Sequence, residues 1–185
     1  MPQPINNALP YNLEAEQSVL GAILIDMEEQ YEIVSKLKED DFFLESHKLI
    51  FHSMSEICGS NKPVDLVTLS DDLEKKSSLE KAGGIEYVTE LARTTPSAAN
   101  YQYYLDIVKR DGTLRKLIRG AEDIIKNARV SSDRRSSVEY AEKKVYDISE
   151  ELDTSTLTNL NAEVPTILNK FENIQKDKNF FQGLK

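Results

Sequence analysis

The chain has 185 residues, 39% of them hydrophobic, a formal charge of −9 and one cysteine, Cys58. That length and apolar content suit one ordinary folded domain with an appendage and exclude a wholly disordered protein. The acidic balance argues against a surface that neutralises nucleic-acid phosphates, a lone cysteine excludes an internal disulfide, and the lack of a leader or membrane-length apolar run points to a reducing cytoplasm and no membrane.

Helix signals dominate, so the expected fold class is all-α. After a Pro-rich start, Asn12 is placed to cap a helix whose Leu13, Leu20, Ile23 and Leu24 share a face, with Glu14 and Glu16 in the first turn where acids suit the helix dipole. A short helix carries Ile33, Val34 and Leu37. In the next, His47, Ile50, Phe51, Met54, Ile57 and Cys58 step by three and four until Gly59 ends it. Thr68 with Asp71 three residues on resembles a capping box opening a helix with Leu69 and Leu73. A last helix follows Gly83 and Gly84 and is expected to bury Ile85, Val88, Leu91 and Ala92. These elements predict a compact helical head over residues 1–95.

A different pattern begins near Ser97, with no proline until Pro165 and apolar residues at Tyr101, Tyr104, Leu105, Val108, Leu114, Leu117, Ile118, Ala121, Ile124, Ile125 and Ala128. One long helix is expected there, weakened at Gly112 and Gly120. "SSDRRSS" is the expected turn. Val138, Ala141, Val145, Ile148 and Leu152 then alternate steps of three and four, a heptad seam. Residues 96–152 are thus predicted to form an antiparallel hairpin. Leu114, Ile118, Ala121, Ile125 and Ala128 suffice to face the return helix. Leu117, Ile124, Tyr140 and Tyr146 are left over for a second copy or another protein, with folding back on the head as the alternative. Residues 153–185 read as a linker whose stretch "EVPTILNKFENIQ" places Val164, Ile167, Leu168, Phe171 and Ile174 on one helical stripe with nothing in the chain to cover it.

Catalytic and nucleotide-binding patterns are weak. His47 and His52 lie about 140° apart around a helix, unsuited to sharing a metal, and His47 sits on an apolar stripe, so a core histidine is expected. The pairs Asp40-Asp41 and Asp71-Asp72 read as capping carboxylates at helix starts, and Cys58 as packing. None of the seven glycines belongs to a GxxxxGK[ST] loop. The basic cluster Lys109, Arg110, Arg115, Lys116 and Arg119 is interleaved with Asp106, Asp111, Glu122 and Asp123, which predicts a salt-bridged helix surface.

Five strings in series, "NLEAEQSVLGAILID", "DDFFLESHKLIFHSM", "PVDLVTLSDDL", "GGIEYVTELA" and "PSAANYQYYLDIVKRDGTLRKLI", give the chain a likeness that covers roughly residues 9–152. It resembles the amino-terminal domain of bacterial replicative DNA helicases of the DnaB type. The resemblance implies a domain without ATPase activity whose hairpins pair. The pairs assemble as a trimer of dimers, forming a collar on a hexameric ring. It implies docking of the helicase-binding domain of primase at positions matching Tyr87, Ile118 and Ile124, and a helicase loader as a further partner. The stripe Val164 to Ile174 would be the linker helix that docks on a neighbouring subunit's motor. "FFQGLK" would lead into that RecA-like motor, where ATP, magnesium and DNA are handled. On this reading the sequence is a fragment that carries no cofactor of its own. A free-standing primosome adaptor predicts a chain that ends at Lys185; a helical nucleic-acid-binding module predicts salt-dependent affinity.

Overall fold

Asn12 sets the first boundary, its side chain accepting from the Ala15 amide at 2.9 Å, and α1 runs Leu13–Ile25. The computed structural model describes residues 8–95 and 100–150. Among these every regular element is helical: α2 is Gln30–Lys36, a 3-10 turn spans Glu39–Asp41, α3 is Glu45–Gly59, α4 is Leu66–Lys75 and α5 is Gly84–Thr94. The fold is all-α, as the periodicity predicts.

α1 is the axis of the head. Ala15, Val19, Leu20, Ala22, Ile23 and Leu24 are buried and point to several sides, while Leu13 is exposed, so the single face expected for this helix widens into near-complete burial. The stripe of α3 is buried throughout, from His47 and Ile50 to Ile57 and Cys58.

Three local expectations are corrected. Asp65, not Thr68, caps α4, accepting from the amides of Val67 at 2.9 Å and Thr68 at 2.8 Å. Thr68 sits at the third helical position, and its hydroxyl accepts from the Asp65 amide, so the box is reciprocal but starts three residues earlier. Aspartate outranks threonine as a cap, and the backbone of Asp65 is itself extended at φ −137° and ψ 177°, as a cap requires. Asp71 and Asp72 therefore lie well inside α4 and pair with Lys75 and Lys76 one turn on. Ile85, expected in the core, is exposed in the first turn of α5, while Val88 and Leu91 are buried.

Beyond the head, α6 is a single helix, Tyr101–Val130, in which neither Gly112 nor Gly120 interrupts the run; both are buried. The expected turn shrinks to residues 131–133, because Asp133 accepts from the amides of Arg135 and Ser136 and so caps α7, residues 134–150. The chain divides into two compact units inside α6, after Asp123. The first holds α1–α5 and α6 as far as Asp123. The second begins at Ile124 and holds the end of α6 with α7. The start of the long helix therefore belongs with the head. Leu152 and the stripe Val164, Ile167, Leu168, Phe171 and Ile174 lie outside the described residues.

Candidate partner-docking surface on the long helix

Two faces of α6 differ sharply. Tyr101, Leu105, Val108, Asp111, Gly112 and Arg115 recur at three- and four-residue steps and are buried. Beside and behind that face Leu114, Leu117 and Ile118 are 42%, 46% and 37% exposed, and Ala121 continues the row. Within the second unit Ile125 is 50% exposed and Ile124 is half-buried. A helix packed by one face ordinarily turns polar residues outward; this one is apolar on both.

Where Arg110 keeps the expected salt-bridged surface by pairing with Asp111, Arg115 departs from it. It is only 2% exposed; its guanidinium donates to the carbonyls of Pro10 at 2.8 Å and Asp41 at 2.7 Å and lies 5.7 Å from the centre of the Phe43 ring. Tyr11 stacks on Phe43, its ring centre 4.4 Å from that of Phe43. Burial holds the guanidinium below its usual range, opposed by Glu16, Asp111 and Asp41. Burial also raises Asp41, whose carboxylate accepts from the Lys38 amide at 2.9 Å and lies 3.7 Å from Lys116 Nζ. At the start of α6 the buried Tyr101 hydroxyl lies 3.0 Å from both Glu29 and Glu32, and burial pushes its phenol up to about 12.

Tyr87 belongs to a different arrangement. Its hydroxyl lies 2.6 Å from His47 Nε2 and accepts from Gln17 Nε2 at 3.2 Å. His47, fully buried, places Nδ1 2.6 Å from Glu16 Oε2, and Glu16 Oε1 accepts from the Phe43 amide at 2.7 Å. This chain links α1, α3 and α5 through the core. His47 is thus the core histidine its position predicts, whereas Glu16, expected to serve the helix dipole from the surface, is a buried acceptor. Its flanking by Ala15, Val19 and Leu20 was the available signal. Among the described residues no group of three or more His, Cys, Asp and Glu is arranged to hold a metal.

In α7 the better-covered residues are Tyr140, Ala141, Lys144 and Ile148, while Val138 and Val145 are about half exposed and Tyr146 more so. The covered side is rotated from the heptad seam toward Lys144, whose long apolar stem covers surface that a valine does not reach. Nζ of Lys144 lies 5.7 Å from the centre of the Tyr140 ring.

A helical head packed against the first part of a long helix defines a recognisable class of domain. The sequence profile described as DnaB-like helicase N terminal domain matches residues 8–110, and the chain belongs to that family. It is 41% identical over 145 residues to the replicative DNA helicase DnaB of Buchnera aphidicola (subspecies Baizongia pistaciae), covering 77% of this chain and 31% of that protein. With the replicative DNA helicase DnaC of Bacillus subtilis it is 34% identical over 182 residues, covering 97% of this chain and 40% of that protein. The chain thus spans well under half the length of these relatives. The solved N-terminal domain of DnaB helicase from Mycobacterium tuberculosis matches with a TM-score of 0.72 at 29% identity, covering 76% of this chain and 99% of that one. A structure of a DnaB-like replicative helicase and its interactions with primase matches at 0.62 and 27% identity, covering 74% of this chain and 31% of that one.

Proposed function

We propose that this chain is the collar of a replicative helicase: an assembly and docking module whose arms pair between copies and build a trimer of dimers around a hexameric ring. The exposed row Leu114, Leu117, Ile118 and Ala121, outside the face already seated on the head, carries the reading. Apolar side chains repeated along one stripe mark a surface that another chain covers. Val138 and Val145 supply matching surface on α7.

In this proposal the domain contributes no chemistry. ATP, magnesium and DNA are handled by a motor domain, which residues 153–185 join to the collar, with Val164, Ile167, Leu168, Phe171 and Ile174 seated on a neighbouring subunit. The collar acts by geometry, holding subunits at fixed spacing. Primase shifts the ring between conformations by binding one of them better. A helicase loader is a further visitor to the same collar.

Primase docking is assigned to Ile118 and Ile124 on the arm and to Tyr87 on α5. Titrating the helicase-binding domain of the same organism's primase into the parent chain and into an Ile118→Asp variant tests it. The aspartate is expected to weaken binding by tenfold or more, equivalent to about 1.4 kcal/mol. Tyr87→Phe, which removes a hydroxyl tied to His47 and Gln17, is expected to lower stability by about 1 kcal/mol while leaving the affinity within threefold. Equal affinity of the parent and the Ile118 variant would remove α6 from the primase surface.

A further inference from the structure

We propose that Arg115, with Gly112, Asp41 and the Pro10–Tyr11 segment, forms a joint that fixes how α6, as far as Asp123, is seated on the head, which makes Arg115 a positioning residue for that helix. Its two hydrogen bonds end on main-chain oxygens of segments 105 and 74 residues away in sequence. A side-chain acceptor follows its partner by changing rotamer; a carbonyl in a 3-10 turn does not. The bonds therefore tie the helix to the backbone of the head.

Gly112 supplies the opposing constraint one turn earlier. A Cβ there would lie 2.8 Å from the Asp41 Cα and 3.0 Å from its Oδ1, so α6 reaches the 3-10 turn only because that side chain is missing. Arg115 draws the helix in and the bare backbone at Gly112 sets how near it comes. Phe43 floors the guanidinium, and Tyr11 stacked upon Phe43 makes the N-terminal segment a strap over the joint. The same rotation that seats Arg115 turns Leu117, about 160° away around the helix, outward. The consequence for assembly rests on the pairing of arms proposed above; the joint itself does not.

Dipolar electron resonance between spin labels at positions 67 and 119 tests the joint. Both positions are exposed and both lie in the first unit, and the measurement uses the full chain on a Cys58→Ser background, diluted with unlabelled protein. The parent is expected to give one narrow distance. Arg115→Met is expected to lose it to a broad distribution while the head keeps its helical circular dichroism, and Gly112→Ala to shift the mean distance. Arg110→Met, removing an exposed arginine paired with the adjacent Asp111, is expected to leave the distance unchanged. Should Arg115→Met fail to fold, Gly112→Ala and a chain beginning at Leu13, which lacks the strap, carry the test. Parent-like narrow distributions in the folded variants would overturn the proposal. A parent that never self-associates but shows these shifts would refute the pairing of arms and leave the joint standing.

Discussion

Replacing His47 with leucine is expected to lower the free energy of unfolding by about 3–5 kcal/mol, read from urea denaturation. The imidazole is fully buried between two partners, and its removal leaves the Glu16 carboxyl group, itself 2% exposed, with the Phe43 amide as its remaining hydrogen-bond donor. A buried polar oxygen is then left without its hydrogen-bond partner, which destabilises the native state. Tyr87 loses its 2.6 Å partner at the same time. The double variant His47→Leu with Glu16→Leu separates this cause from a simple packing defect. Removing both members of a buried polar pair is often near neutral, so the second change is expected to recover most of the loss. A double variant no more stable than the single one would show that shape, not polar pairing, governs the site.

Gly21→Ala is the second large expected effect, and its sign is the point of interest. Helix propensity alone predicts a gain of up to about 1 kcal/mol, since alanine is the better residue in a helix interior. Packing predicts the reverse. A Cβ at this position in α1 would lie 1.9 Å from Thr95 Oγ1 and 2.4 Å from the Leu91 carbonyl oxygen. Thr95 is not free to swing away, because its hydroxyl donates to that same carbonyl at 3.0 Å within the core. α1 and α5 would have to separate, at a cost of about 1–3 kcal/mol. Gly59→Ala, at the exposed end of α3 with nothing within 4 Å of the new atom, is the control and is expected to change stability by under about 0.5 kcal/mol. A stabilised Gly21→Ala would mean that α1 and α5 are less closely packed than described.

The head was largely legible in the sequence because its helices bury faces at the period of the helix. α3 is the clearest case: the six residues that mark its stripe are all buried. What escaped was decided by partners far along the chain. Arg115 lies in a row of charges and reads as solvated; only the carbonyls of Pro10 and Asp41 make it a core residue. Gly112 reads as a weak point in a helix, yet it is where that helix touches the 3-10 turn. Glu16 has the position of a surface acid in a first turn, and its role appears only when Phe43 and His47 are brought beside it. The heptad seam of α7 gave the helix but not its rotation, since Val138 and Val145 stand about half exposed.

The pairing of arms is the claim on which the collar depends, and molecular mass measured against concentration tests it most directly. Light scattering coupled to size exclusion is expected to show the parent rising from its 21.0 kDa monomer toward even multiples as concentration increases. Leu117→Asp, a change confined to the exposed face of α6, is expected to remain at the monomer mass with an unaltered thermal melt. A parent that stays monomeric at every concentration, or a Leu117→Asp variant that assembles like it, would contradict the account.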